Sequence, residues 1–260
     1  MGSASVQGPL WGAAARDWAR LVEPAATPFY EAVFEAIGIA GGTALLDAGC
    51  GSGYALAMAA ARGATVSGLD ASAGLLEVAR ERVPDADLHE GDLEALPFAD
   101  DSFDAVTAFN SVQFAAVPLA AVRELGRVAR SGAPVAIVTW GAPERCETRV
   151  ILAAIGGLLP PPPPGAGGPF ALSEPGKLDE LAQSAGLTSE RSDEVPTRFT
   201  YPDLETAVRS QLSSGPARRA IEHAGEPAIR EALSAAFAAS RQSDGTYAQD
   251  NVFRYLVARA

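Results

Sequence analysis

Between residues 43 and 140 the chain alternates short apolar runs with amphipathic stretches. The runs near 43–48, 64–69, 86–90, 103–109 and 133–140 read as strands. Helical spacing fills the intervals near 53–62, 72–83 and 115–130, with Ser72 as an N-cap. This alternation predicts a parallel sheet joined by right-handed crossovers. Ahead of it, residues 9–39 predict two helices. Trp11, Ala14, Ala15, Trp18 and Leu21–Val22 share one helical face. Pro24 and Pro28 separate that helix from a second, Phe29 to Ile39, which ends at Gly41-Gly42. Beyond residue 140 the alternation breaks. Glu144–Leu159 predicts a helix, closed by Pro160–Pro164 and Gly165-Ala166-Gly167-Gly168, a run that reads as an extended surface loop or lid edge. A capped helix then leads to Ala185-Gly186-Leu187, and Pro202 to Arg241 is helical in pattern.

Composition narrows the setting. A chain of 260 residues, 48% hydrophobic, can fill one large domain or a domain with a cap. No uninterrupted apolar run reaches the roughly 18 residues of a spanning helix. Met1 to Gln7 lacks the regions of a signal peptide, and Val6 stands where a myristoylation signal has Ser or Thr. A cytoplasmic location without a membrane partner is expected. The net charge of −12 and the single lysine, Lys177, argue against nucleic acid. Arg218-Arg219, the one adjacent basic pair, reads as a solvated helix face or as an anchor for an acidic acceptor. Cys50 and Cys146 form no cluster with metal-ligand spacing, so no metal is expected.

The chemistry concentrates at Leu45-Leu46-Asp47-Ala48-Gly49-Cys50-Gly51-Ser52-Gly53, an apolar strand entering a glycine-rich turn. Asp70 follows Gly53 by 17 residues, at the end of the second strand. This is the layout of a nucleoside-binding βαβ unit, with a carboxylate placed for ribose hydroxyls. The glycines fall as G-x-G-x-G, not as the G-x-G-x-x-G of a dinucleotide fingerprint, and no P-loop lysine is present. The Asp47-x-Gly49-x-Gly51-x-Gly53 pattern resembles the first motif of class I S-adenosylmethionine (SAM)-dependent methyltransferases of the small-molecule, methyltransferase domain 11-like or UbiE-like kind. Further segments extend the resemblance at similar spacing: Gly91-Asp92-Leu93-Glu94-Ala95-Leu96-Pro97-Phe98, then Ser102-Phe103-Asp104-Ala105-Val106, then Arg127-Val128-Ala129-Arg130-Ser131-Gly132. The last departs from the family's usual "R-V-L-x-P-G-G". The resemblance is firm over residues 40–140 and loose outside them.

The resemblance implies an α/β fold: a Rossmann-like three-layer sandwich around a seven-stranded, mostly parallel sheet of order 3-2-1-4-5-7-6. Strand six is then expected near 188–197, and an antiparallel strand seven at Asn251–Ala258. Residues 1–260 form a single domain on this reading. Residues 9–39 supply N-terminal lid helices and 40–142 the SAM-binding core. Residues 143–172 supply a helix and proline-rich loop, and 202–245 a helical cap insertion between strands six and seven. Asp70, with Ala71 beside it, is assigned to the ribose; Asp92, after Gly91, is assigned to the adenine amino group and Leu93 to the ring. Asp47, Gly49, Cys50, Gly51 and Gly53 lie along the methionine end, whose carboxylate is expected at the glycine turn and the following helix N-terminus. Phe109 and Asn110 close the site from the fourth strand.

On the acceptor side, Trp11, Trp18, Phe114 and Trp140 are pocket candidates that could equally be core. Gln113 and Asn110 could orient an acceptor. His223, in the cap, is the weak candidate for a base, and no catalytic residue is assigned. The expected reaction is methyl transfer by in-line displacement, leaving S-adenosylhomocysteine. The acceptor is expected to be a small or medium apolar molecule, with O-, N- or C-methylation open. Two other readings stay open: a SAM-binding cyclase-like enzyme or regulator, and a nicotinamide-dependent oxidoreductase. The chain is expected to be a monomer or homodimer.

Overall fold

A computed structural model describes residues 2–160 and 168–260; the Pro160–Pro164 run falls mostly outside them. The N-terminal segment forms α1 (Ala4–Gly12), α2 (Ala15–Leu21), a 3-10 turn (Glu23–Ala26) and α3 (Thr27–Ile37). The sequence pattern predicted two helices here. The first breaks at Ala14, whose backbone leaves the helical region (φ −142°, ψ 44°). The helical spacing is not interrupted there, so the pattern alone does not reveal the break. The second ends at Gly38 rather than Gly41-Gly42. Gly38 takes a left-handed φ of 70°, and the Ile39 amide bonds back to the Phe34 carbonyl at 3.0 Å.

The core then runs β1 (Ala44–Ala48), α4 (Tyr54–Ala60), β2 (Thr65–Asp70), α5 (Ala73–Arg82), β3 (Asp87–Glu90), β4 (Ala105–Phe109), α6 (Pro118–Val128) and β5 (Pro134–Trp140). Ser72 caps α5, its hydroxyl accepting from the Leu75 amide at 3.1 Å. The remainder is α7 (Arg149–Gly156), α8 (Lys177–Ser184), β6 (Thr188–Tyr201), α9 (Leu204–Leu212), α10 (Gly215–Ala224), α11 (Glu226–Phe237) and β7 (Tyr247–Arg259). The helix expected over 144–159 starts late. Cys146 is extended, and the Thr148 amide is tied at 3.0 Å to Asn251 Oδ1 on β7.

The strands form one seven-stranded sheet of order β3-β2-β1-β4-β5-β7-β6. All pairs are parallel except those of β7, which runs antiparallel to β5 and β6. β6 and β7 outrun their sequence estimates because they pair with each other from Thr188↔Arg259 to Tyr201↔Tyr247.

Both faces of the sheet are covered, which explains the unbroken apolar runs. Successive residues point to opposite faces. Leu45, Ala105, Ala136 and Val257 join Phe34, Leu56 and Leu76 on one side. Their neighbours Leu46, Val106, Ile137 and Leu256 join Val122, Leu125 and Leu178 on the other. Leu125 is fully buried on the face remote from α3 and α4. Leu125→Ala is expected to lower stability by about 2–5 kcal/mol. Urea denaturation would show this as a lower midpoint at unchanged slope.

Candidate functional site

The sheet order reverses between β1 and β4, and a cavity opens where their carboxyl ends part. The turn after β1 shapes its floor. Gly49 has a φ of 85°, and a Cβ there would stand 2.4 Å from Ser111 Cβ. Gly53 has a φ of 76° at the start of α4, with Ala79 Cβ 3.0 Å from where its own would stand. Only glycine meets both demands. The turn is bound to β2 by the Gly49 and Cys50 amides, which donate to the Leu69 carbonyl at 2.7 and 3.0 Å.

Asp70, at the end of β2, accepts from the Gly51 amide at 2.9 Å and the Ser72 amide at 2.8 Å. Burial nevertheless pushes its carboxyl up to about 6, against those two bonds. Asp47 is buried beneath the turn and accepts from the Thr107 hydroxyl at 2.8 Å. Burial pushes it up to about 7, with the nearby Asp70 charge adding to the effect. Asp92 accepts from the Ala4 and Glu94 amides, each at 3.1 Å, so the start of α1 lies on this carboxylate.

Most residues singled out from the sequence meet at this cavity. Asp47, Gly49, Cys50, Gly51, Asp70 and Ala71 line one side. Asp92, Leu93, Phe109 and Asn110 continue the wall, and Trp11, Trp18, Phe114 and Trp140 line it too. Four do not line it. Gly53 lies behind the turn, against Ala79. Gly91 is placed against Leu69, whose Cδ1 would meet a Cβ at 2.8 Å. Gln113 is buried, with its amide donating to Asn110 Oδ1, so it holds a lining residue instead of lining the wall. Asn110 is one of two non-glycine residues with positive φ (52°) among the described residues, and Gln113 braces it there.

His223 does not reach the cavity. It is exposed in the last turn of α10 and absent from the cavity wall. The buried residues of α10 are Gly215, Ala217 and Ala220, which turn His223 toward solvent. Cys50 and Tyr30 do line the cavity, but burial pushes both well above their ordinary values, so neither is a base at neutral pH.

The sequence reading missed Glu23. Its buried carboxylate accepts from the Ser52 amide at 3.0 Å, from the Ser52 hydroxyl, and from Arg82 at 2.8 Å. The 3-10 turn thus reaches the glycine turn through one side chain. No local pattern announces it, because the partners lie 29 and 59 residues away. At the glycine turn, the expected place of a cofactor carboxylate, the Gly51 and Ser52 amides are engaged by Asp70 and Glu23. Also unforeseen are Phe29 and Tyr30 of α3, Phe199 of β6, Phe253 of β7, and Gln211 and Ser214 of the helices between them. Their aromatic rings pack tightly: Phe253 lies 4.3 Å from Trp140 and 4.5 Å from Phe29 between centroids. Among the described residues no group of three metal-ligating side chains stands together, and no helix is long and apolar enough to cross a membrane.

Comparison with known proteins agrees with this geometry. The family model for a methyltransferase domain matches residues 46–137. Demethylmenaquinone methyltransferase of Renibacterium salmoninarum is 38% identical over 111 residues, 43% of this chain and 47% of its own length. Malonyl-[acyl-carrier protein] O-methyltransferase of Erwinia pyrifoliae is 32% identical over 171 residues, 66% of this chain and 61% of its own length. The chain thus spans about half to three-fifths of these curated relatives. In fold it is similar to geranyl diphosphate C-methyltransferase of Streptomyces coelicolor, with a TM-score of 0.54 and 17% identity. That likeness covers 90% of this chain and 78% of the other. A glycine turn, a strand-end carboxylate and a sheet of order 3-2-1-4-5-7-6 occur here together with the matched segment. Residues 46–137 are therefore a methyltransferase domain, carried in the seven-stranded fold of the SAM-dependent methyltransferases.

Proposed function

We propose that this chain is a methyltransferase that transfers the SAM methyl group to a small or medium apolar acceptor. The observation that carries this reading is a single cavity at the switch point, with carboxylates along one part and aromatic rings along another. Asp70 would accept from the ribose hydroxyls and Asp92 from the adenine amino group, with Leu93 against the ring. The donor set fits the cofactor. Glu23, Asp47, Asp70 and Asp92 line the cavity, and no lysine, arginine or histidine does among the described residues. Such a wall suits a ligand bearing a sulfonium and an ammonium. When bound, SAM supplies a methyl group made electrophilic by a positively charged sulfur.

The protein's own task is alignment and dryness. Trp11, Trp18 and Phe114 form an edge-to-face cluster, with centroids 4.8 and 5.4 Å apart, that covers one side of the cavity. Trp140, Phe253 and Phe29 wall another. Holding the acceptor in line with water excluded can supply ~7–11 kcal/mol without a catalytic base.

Calorimetric titration of SAM, S-adenosylhomocysteine and NADH tests the cofactor. SAM and S-adenosylhomocysteine are expected to bind, and Asp70→Ala is expected to weaken SAM by on the order of 2–4 kcal/mol, from lost charge-assisted hydrogen bonds. NADH binding with no SAM response would overturn the reading.

The raised carboxyls give a pH signature. A cationic ligand favours ionised Asp70, so SAM affinity should rise from pH 5 to 7, by about tenfold per unit below the Asp70 value of about 6. Ligand-free stability should run the opposite way. Unfolded carboxyls ionise near ~3.9. The folded chain keeps protons on Asp70 and Asp47 up to about 6 and about 7, so stability falls as pH rises through that window. Thermal melts at constant ionic strength check the second trend, and calorimetry in paired buffers checks proton release on binding.

A further inference from the structure

Every backbone amide from Gly49 to Gly53 already has an acceptor within the protein. Gly49 and Cys50 donate to the Leu69 carbonyl, Gly53 to the Cys50 carbonyl, Gly51 to Asp70 and Ser52 to Glu23. The turn itself therefore has no amide left for an anion, and two cavity-lining carboxylates cover it instead. Asp70 is taken by the ribose on the reading above, which leaves Glu23 beside the methionine end.

Glu23 is fixed in that place. Its side chain is 5% exposed, and it lines the cavity. Oε2 accepts from Arg82 at 2.8 Å and from the Ser52 hydroxyl, and Arg82 is itself held on the Ser52 carbonyl at 2.9 Å. Oε1 accepts only from the Ser52 amide, at 3.0 Å, whereas a carboxylate oxygen can accept two bonds. That oxygen stands 2.9 Å from where a Cβ on Gly51 would be, so it faces the bare Cα of the turn. Burial pushes the Tyr30 hydroxyl well above its ordinary value, and the charges of Glu23 and Asp47 add to the effect. The three groups thus stand close together on the cavity wall.

Resting on the methyltransferase reading, the geometry points to Glu23 as the residue that receives the α-ammonium of the cofactor, through the open lone pair of Oε1. An ammonium brings three N–H donors and no acceptor, so it suits a turn whose amides are all engaged. A buried cation also needs an anionic partner. Arg82 and Ser52 hold that partner in position before the ligand arrives, so little side-chain freedom is lost on binding. The cofactor's carboxylate, on the same carbon, is turned away from Glu23, and the ammonium beside it offsets its charge. The 3-10 turn Glu23–Ala26 is then part of the cofactor site, and Glu23 makes the site selective for the amino-acid end of the ligand.

Three probes separate this contact from a purely structural brace, each titrated calorimetrically into wild type and Glu23→Gln. They are S-adenosylhomocysteine, its analogue without the amino group, and 5′-methylthioadenosine, which lacks the whole amino-acid end. Wild type is expected to bind S-adenosylhomocysteine at least about tenfold more tightly than the deaminated analogue. Glu23→Gln keeps the shape and removes the charge. It is expected to bind S-adenosylhomocysteine about tenfold more weakly, 5′-methylthioadenosine unchanged, and the deaminated analogue unchanged or tighter. Equal losses for all three probes, or undiminished S-adenosylhomocysteine binding, overturn the proposal and leave the methyltransferase reading intact. Equal affinity of wild type for S-adenosylhomocysteine and the deaminated analogue overturns it without any variant. Binding of 5′-methylthioadenosine shows that the variant's site is intact. Should Glu23→Gln not fold, Glu23→Asp draws the charge back by one methylene and is expected to shrink the preference for the ammonium-bearing ligand. An undiminished preference there overturns the proposal too. If S-adenosylhomocysteine does not bind wild type at all, the cofactor reading falls and the proposal with it.

Discussion

The backbone after β1 must reverse within five residues and still present its amides inward. Gly49, Gly51 and Gly53 all adopt positive φ to achieve this, at 85°, 56° and 76°. The turn then becomes a hub. Leu69 holds it to β2, Asp70 takes the Gly51 amide, and Glu23 takes the Ser52 amide. A side chain at Gly49 would push away Ser111, which ties β4 to the Ala48 carbonyl at 2.8 Å. The separation of β1 from β4, and so the cavity itself, depends on those dihedral angles.

Acidic groups around that hub are held in unequal ways. Glu23 has a guanidinium partner, whereas Asp47 and Asp70 rely on neutral donors and burial keeps their carboxyls raised. Buried carboxyls without cationic partners reduce stability when ionised. A cationic ligand would relieve that strain, so the arrangement favours positive charge beside Asp47 and Asp70. The fold stays intact around it because the sheet is buried on both faces by separate apolar clusters.

The elements outside the matched segment complete the enclosure. α1 lies against Ala71 and Gly74 through Gly8 and Gly12, close enough that a Cβ on Gly8 would stand 2.1 Å from the Ala71 carbonyl oxygen. Its other side meets α10, where Trp11 leaves no room for a side chain on Gly215. The N-terminal helix therefore bridges the carboxylate-bearing loops and the helices between β6 and β7. Its first amide rests on Asp92, and its Trp11 joins the aromatic cluster.

What the sequence determined by itself is local in origin. The succession of apolar runs and amphipathic stretches set the strands and helices of residues 43–140, because burial of one helix face leaves a periodic trace and burial of both strand faces leaves an unbroken apolar run. The glycine spacing and the strand-end position of Asp70 marked the turn and its carboxylate, since each demand falls on a fixed offset along the chain. The antiparallel last strand was placed through a family resemblance and not through periodicity. Tertiary structure alone decided which side chains meet. Glu23 gained its role from partners 29 and 59 residues away. Phe199 and Phe253 became cavity wall through long-range strand pairing. His223 lost its role because the packing of Ala217 and Ala220 set the phase of α10. Gln113 turned from lining residue to brace because Asn110 needed holding in a left-handed conformation. Periodicity records that a residue is buried; only the packed chain records what it is buried against.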